Sequence, residues 1–394
     1  MSFSSKPYTL TNVIQNYPWG GRGPAAFIPK LLGMKNVDPS TPFAEIWMGT
    51  HPLGTSSLLY QNQQMLLSNL VQQYPAEILG GRVAAAFEDQ FPFLLKVLSA
   101  DETLSIQLHP SKNQAEVLHA KDPSHYPDAN HKPEIAIALD ALQALAGIRE
   151  PRQIEAVLVG YPELRSFLRL KAHNRQSKYR LGRVVFAALF QNALDRPREI
   201  EAVIQKLVER LRKKQRLDAR EKLFLELSGK YPGDVGLLSI FLLKLHRLKK
   251  GRAMFIPAGV PHAYLKGNII ECMASSDNVI RVGLTGKFKD IPALLDVFTD
   301  KSVVKFSPSA PSFVYPVQTR EFRLQKIELK PGRKQQDKSD SVRVLMIVSG
   351  KFKLKWGRGK MSAAQGQAIL VPASLGVVEI ECLEAGECYK ADVP

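Results

Sequence analysis

The chain has 394 residues, 45% of them hydrophobic and 23% charged, which is ordinary for a soluble globular protein and long enough for two or three domains. It contains no apolar run of the ~20 residues needed to cross a bilayer, and its N-terminus lacks the long apolar core of a signal peptide. Its three cysteines, Cys272, Cys382 and Cys388, form no CxxC pair, so neither a disulfide framework nor a cysteine zinc site is indicated and a cytoplasmic location is expected.

Residues 1–110 read mainly as strands and turns, with short apolar runs such as FPFLLKVL from Phe91, and with short helices expected over 75–90 and 112–121. Around residue 150 the period changes. Segments such as REIEAVIQKLVERLRKK, from Arg198, space their apolar residues as a helix does, so 151–250 reads as a helical block. That block holds 23 Lys and Arg against 10 Asp and Glu, and so carries most of the overall +17 charge. The excess lies on helical patterns without interleaved aromatics or a nucleic-acid motif, which favours a solvated basic surface over a nucleic-acid partner. From Gly251 the short strands return: AMFIPAG, AYLKGNIIECMA and NVIRVGL, then VRVLMIVSGKFKLKW and GQAILVPAS nearer the C-terminus.

A spacing repeats within these strands. Gly251, five residues, Pro257, Gly259 and His262 share a frame with Gly366, five residues, Pro372, Ser374 and Val377. Each copy reads as a turn, an apolar strand and a proline turn that presents the next side chain. The pattern suggests two jelly-roll units, the second without the histidine.

The richest segment for chemistry is 104–139. Gln107 and His109 stand at i and i+2, so on an extended strand both face one side. Glu134 opens a strand after a turn, and His262 opens another. Together these four residues form a mixed nitrogen and oxygen donor set suited to zinc, with iron, manganese or cobalt also compatible. His119, His125 and His131 are competing ligands that spacing alone does not exclude. Arg281 interrupts an apolar strand, VIRVG, where it either faces solvent or turns a planar fork toward an anion.

Several stretches together identify a family: Tyr17-Pro-Trp19-Gly20, the run from Ala44 through Glu45 and Trp47 to His51, Pro92 through Lys96, Leu104 through His109, Asn130-His131-Lys132-Pro133-Glu134, and Pro261 through Lys287. They resemble type I mannose-6-phosphate isomerase, also called phosphomannose isomerase. The resemblance implies a mainly β fold of two cupin domains with an inserted helical domain. The expected division is a metal-binding cupin over 1–150 plus 251–310, a helical insertion over 151–250, and a C-terminal cupin without metal over 311–394. It implies one zinc per chain on Gln107, His109, Glu134 and His262, catalytic roles for Arg281, Glu271 and Tyr264, and substrate or phosphate contacts from Ser105, Lys96, Lys132 and Lys287. The partner is then a small sugar phosphate, with no nucleic acid, membrane or obligate protein partner expected. The chain departs from the family at Ser111, where aspartate is usual, and at Gly286, where proline is usual.

Two other classes compete with the isomerase. A cupin oxygenase would use iron on two histidines and a carboxylate, but a fourth ligand, Gln107, fills a position that oxygen chemistry needs open. A non-catalytic sugar-phosphate sensor would not need both a complete metal set and Arg281.

Overall fold

A computed structural model describes residues 3–170 and 181–394. Its architecture is mainly β with a helical block inserted, as expected. One strand organises the metal-bearing half. His262–Ala274, 13 residues long, pairs through its second half with Phe93–Ala100 on one side and Glu134–Ala138 on the other. Through its first half it pairs with Leu142–Ile148 and, at His262, with Ile106–Leu108. That last strand also pairs with Ile280–Gly283. The long strand thereby joins two arms of an 11-stranded sheet.

The period of two divides these strands cleanly. Val97, Ile135, Ile137, Ile270 and Cys272 face a core shared with the C-terminal half. Lys96, Ala136 and Glu271, which stand opposite one another across three strands, face the other way. All eight residues of Phe93–Ala100 are buried, so Lys96 sits inside what reads as an unbroken apolar strand.

The C-terminal half contains an eight-stranded and a four-stranded sheet. In Arg343–Ile347, Val344 and Met346 pack toward the core shared with the metal-bearing half, while Leu345 and Ile347 pack toward the four-stranded sheet with Phe352, Leu354 and Ile380. This double burial accounts for the continuous apolar run VLMIV from Val344. The sheets cross the boundary expected from sequence. Tyr8–Thr11 pairs with Ala368–Val371 on one edge and Ser57–Tyr60 on the other, so the chain's first strand completes the C-terminal sheet.

Helices occupy the inserted block as expected, with one correction. Leu243–Leu248 is a strand, pairing with Leu142–Ile148. Its alternating LKLHRL pattern is a strand signal within the range read as helical. Pro197–Arg212 shows why the rest is helical. Proline fills the first turn, where no N–H is needed, and Ile200, Ile204, Leu207, Val208 and Leu211 form one buried stripe. The Asp218 side chain accepts from the N–H groups of Arg220 and Glu221 at 2.8 and 2.9 Å, capping Ala219–Lys230. The helices pack against Ile106, Leu108, Ile280 and Val282. Alternation then turns the intervening residues, Gln107 and Arg281, to the opposite face. Helices also form at Pro75–Leu79, Gly81–Ala86 and Lys112–Lys121, within the ranges expected, and at Phe27–Leu32, Leu67–Gln73 and Ile291–Val297, where the sequence reading placed none.

Candidate metal centre

His109, Glu134 and His262 converge from three strands or strand ends, all essentially inaccessible to solvent. Among the described residues they form the one group of three or more His, Cys, Asp or Glu side chains whose donor atoms lie within 4.8 Å of one another. His109 Nε2 lies 3.3 Å from Glu134 Oε2, and His262 Nε2 lies 2.9 Å from Glu134 Oε1.

These short distances are not hydrogen bonds. The Nδ1 of His109 is 2.8 Å from the Asn278 carbonyl, and that of His262 is 3.0 Å from the Val260 carbonyl. A carbonyl only accepts, so each Nδ1 carries the proton and each Nε2 presents a lone pair. Burial reinforces this at His109, pushing its pKa down to about 4, with Lys132 adding to the effect. Both Nε2 atoms are buried without a hydrogen-bond partner. Two lone pairs aimed at a carboxylate repel it unless a cation lies between them. The donor set, two imidazoles and a carboxylate with their outer nitrogens held by carbonyls, fits zinc.

Gln107 joins the same face by register. It stands opposite His262 on one neighbouring strand and opposite Arg281 on the other. Residues directly opposite in an antiparallel pair point to the same side. Gln107, His262 and Arg281 therefore share a face, with His109 two residues along. Neither Gln107, Ser105 nor Arg281 has a side-chain hydrogen bond or ion pair among the described residues. Arg281 is half-buried, and burial lowers its pKa with no carboxylate to offset the effect.

The competing histidines are engaged elsewhere. His131 pairs with Glu321 at 2.8 Å, His125 with Asp122 at 2.8 Å, and His119 Nδ1 lies 2.7 Å from the Tyr126 carbonyl. For His131 the partner is brought in by the fold alone, since Glu321 lies 190 residues away.

Beside the metal-ligating set runs a buried line of charge. Lys96 Nζ is 3.2 Å from Glu45 and 3.8 Å from Glu271. Burial disfavours the ammonium, but Glu45 and Glu271 outweigh it and hold the Lys96 pKa above its ordinary value. Glu271 moves the other way. Burial first, and the Glu134 charge second, push it up to about 7. The Tyr264 hydroxyl lies 3.0 Å from Glu271 and 3.4 Å from Glu134. Burial and these two carboxylates raise its pKa well above the usual phenol, so it keeps its proton. Lys132 Nζ approaches Glu134 at 3.9 Å. Lys287 stands apart on an exposed loop.

The sequence reading assigned no role to the residues that hold this site. Asp128 accepts from Ser276 Oγ at 2.8 Å, from the N–H of Asp277 at 2.8 Å and from the Asn278 amide at 3.1 Å. It thereby anchors the turn whose Asn278 carbonyl accepts a hydrogen bond from His109 Nδ1. His51 is buried and lies 3.1 Å from Asp277, with its ring edge-on to Trp47. Asp128 sits in a polar stretch, DPSHYPDANHK, with nothing in its spacing to set it apart. The two departures from the family pattern are benign for packing. Ser111 serves as N-cap residue of Lys112–Lys121, its hydroxyl donating to Gln114 at 2.6 Å. A Cβ placed on Gly286 would meet no atom within 4 Å.

Comparison with known proteins points to one family. Residues 8–151 match the catalytic domain of phosphomannose isomerase type I, and residues 158–243 match the helical insertion domain of the same enzyme. Mannose-6-phosphate isomerase of Bos taurus is 36% identical over 377 residues, covering 88% of each chain. Among solved structures, an alanine variant of phosphomannose isomerase from Salmonella typhimurium superposes with a TM-score of 0.85 at 29% identity, covering 98% of this chain and 99% of that one. A zinc-bound mannose 6-phosphate isomerase gives 0.84 at 28%, with the same coverage. The chain belongs to the type I phosphomannose isomerase family.

Proposed function

We propose that the protein is a zinc-dependent aldose–ketose isomerase that interconverts D-mannose 6-phosphate and D-fructose 6-phosphate through an enediol. The observation that carries this reading is the pair of buried imidazole Nε2 lone pairs aimed at Glu134 without a hydrogen bond between them. His109, Glu134, His262 and Gln107 would hold the zinc, which when bound polarises sugar oxygens and offsets developing negative charge.

The protein side chains do the rest. Moving a proton between C2 and C1 needs a base that is partly ionised near neutral pH. Glu271, raised to about 7, suits that task. Lys96 holds its carboxylate from one side and Tyr264 donates to it from the other. Lys96 is already paired with two carboxylates, so its role is to balance charge at the base as much as to contact substrate. Arg281, with no carboxylate partner of its own, offers a fixed fork to the phosphate or the enediolate. Lys132 and Ser105 complete the polar wall, and we assign Lys287, on its exposed loop, a contact to the phosphate. We assign the metal-bearing cupin to the sheet built on His262–Ala274, the insertion to the helices from residue 151, and the second cupin to the last 80 residues, with Tyr8–Thr11 and Ser57–Leu66 joining that second sheet. We place the enzyme in the cytoplasm, in mannose metabolism leading to GDP-mannose, and assign it no obligate protein partner. Its three cysteines, buried and unpaired, accord with a reducing compartment.

Elemental analysis coupled to an isomerase assay on several sugar phosphates tests the reading. One zinc per chain is expected, with turnover of mannose 6-phosphate lost on chelation and restored by zinc. Two metals per chain, iron as the active species, or no turnover of any sugar phosphate would overturn it.

A further inference from the structure

The strand that carries Arg281 ends at Gly283, and Leu284 follows with φ of 56°. That is the left-handed region, which a residue with a branched side chain seldom holds without outside support. The support comes from the helical insertion. Asp234 is buried just ahead of the short helix Gly236–Ser239. Its Oδ1 accepts from the N–H of Gly236 at 2.7 Å and from the N–H of Leu284 at 2.8 Å. Its Oδ2 accepts from Lys289 Nζ, also at 2.8 Å. One carboxylate thus grips the insertion, the end of the Arg281 strand and the loop that carries Lys287.

The two backbones also touch at this joint. A Cβ on Gly283 would lie 2.4 Å from the Gly236 Cα, and a Cβ on Gly236 would lie 2.8 Å from the Gly283 Cα. Neither glycine has a positive φ, so close approach is what each position requires. An ordinary cap on a four-residue helix would need only the Gly236 contact. The bonds to Leu284 and Lys289 reach across to the site.

We propose that Asp234 is a positioning residue for the anion-binding side of the pocket. By holding Leu284 in its left-handed turn and anchoring Lys289, it fixes the direction of the Arg281 strand and the place of loop 284–289. The helical insertion is thereby coupled to catalysis without contributing a group that touches substrate. This inference rests on the isomerase reading given above, in which Arg281 meets the substrate.

The test uses full-length, zinc-loaded protein and the variants Asp234→Ala, Asp234→Asn and Gly236→Ala, with kcat, KM for mannose 6-phosphate, zinc per chain and thermal midpoint measured for each. Asp234→Ala is expected to lose ~10- to ~100-fold in kcat/KM, the scale of a misplaced catalytic group, while keeping one zinc. Asp234→Asn retains an oxygen for both N–H groups and should recover most of that loss. Gly236→Ala, which forces the joint apart, should repeat the Asp234→Ala pattern. Wild-type constants in Asp234→Ala would overturn the inference. So would an equal loss in Asp234→Ala and Asp234→Asn accompanied by zinc loss, which marks a general structural brace. If Asp234→Ala does not fold, Gly236→Ala decides: impaired turnover with zinc retained supports the coupling, and wild-type constants refute it. A wild-type protein that turns over no sugar phosphate would instead count against the functional reading itself.

Discussion

Gly251 and Gly366 hold similar backbone angles, φ of 79° and 84°, and each leads into a four-residue strand, Ala253–Ile256 and Ala368–Val371. After Pro257 and Pro372 the two copies part. In the first, Gly259 takes φ of 77° where a Cβ would lie 2.5 Å from the Val297 carbonyl, and its N–H donates to the His109 carbonyl at 2.8 Å. The turn then delivers His262 into the interior. In the second, Ala373–Leu375 forms a short 3-10 helix and Gly376 turns with φ of 61°. Val377 emerges 46% exposed. One strand frame thus serves two ends, and the turn after the proline decides whether the next side chain meets an ion or water.

The polar interiors of the two halves differ in the same sense. In the C-terminal half the buried carboxylates have partners. Asp337 pairs with Lys390 and with Arg343 at 3.4 Å, and Asp392 takes both arms of the Arg323 fork at 2.6 and 2.8 Å. In the metal-bearing half, two imidazole lone pairs face a carboxylate, the arrangement of a ligand set. Carboxylates paired with cations balance charge within a fold, whereas a carboxylate flanked by imidazole lone pairs supplies donors to a metal.

The sharpest way to break this contrast is to remove the metal donors. His109→Ala and Glu134→Ala each remove a donor, and each should abolish zinc retention and lower turnover by at least ~10³-fold, the upper end for losing one preorganised electrostatic group. The fold should survive, because the core behind the site is apolar and shared with the second half. Either variant retaining zinc and near-normal activity would show that the ligands have been misassigned.

Arg281 gives the next largest effect. Gln107 stands opposite both His262 and Arg281, and on that shared face we propose that Arg281 serves the pocket. Arg281→Ala should keep zinc and thermal stability while kcat falls by ~100-fold, about 2.7 kcal/mol of transition-state energy. Arg281→Lys should also be impaired, since lysine keeps the charge and loses the fork. A rise in KM alone would make Arg281 a uniform phosphate binder, and unchanged constants would return it to solvent.

What could be read from sequence follows the range of the interactions. Gln107 and His109 were legible because two residues of extended chain place both on one face. Glu134 and His262 were legible because each opens a strand after a proline turn. The exclusion of His131 was not, because it depends on Glu321, nor was the brace on His109, because Asp128 and Asn278 meet only after 150 residues of chain have folded back. Lys96 was legible only through the family resemblance, since its partners Glu45 and Glu271 are brought to its side by strand pairing. Tyr8–Thr11 gave no sign that its partner lay near residue 370, since strand pairing at that distance is set by the core and not by local pattern.

The smallest expected effect is the most direct test of the two frames. Val377→His restores the residue that the first frame presents, at the same spacing from its proline. If spacing alone made a metal site, the variant would bind a second zinc. The structure gives it no companions. The side chain at 377 is half in water, and its cross-strand partner is Lys338, a cation. The buried carboxylate next along the partner strand, Asp337, which stands opposite Val378, is already taken by Lys390 and Arg343. A single imidazole beside an ammonium supplies one of the four donors that a structural zinc needs. Val377→His should therefore leave zinc at one per chain after dialysis, and kcat within about twofold of the parent. The substitution lies on the surface, so stability should shift by no more than ~0.5 kcal/mol. A second tightly held zinc would mean that the C-terminal half keeps a latent ligand set. The side chain at 377, and not the turn before it, would then be all that separates the two halves.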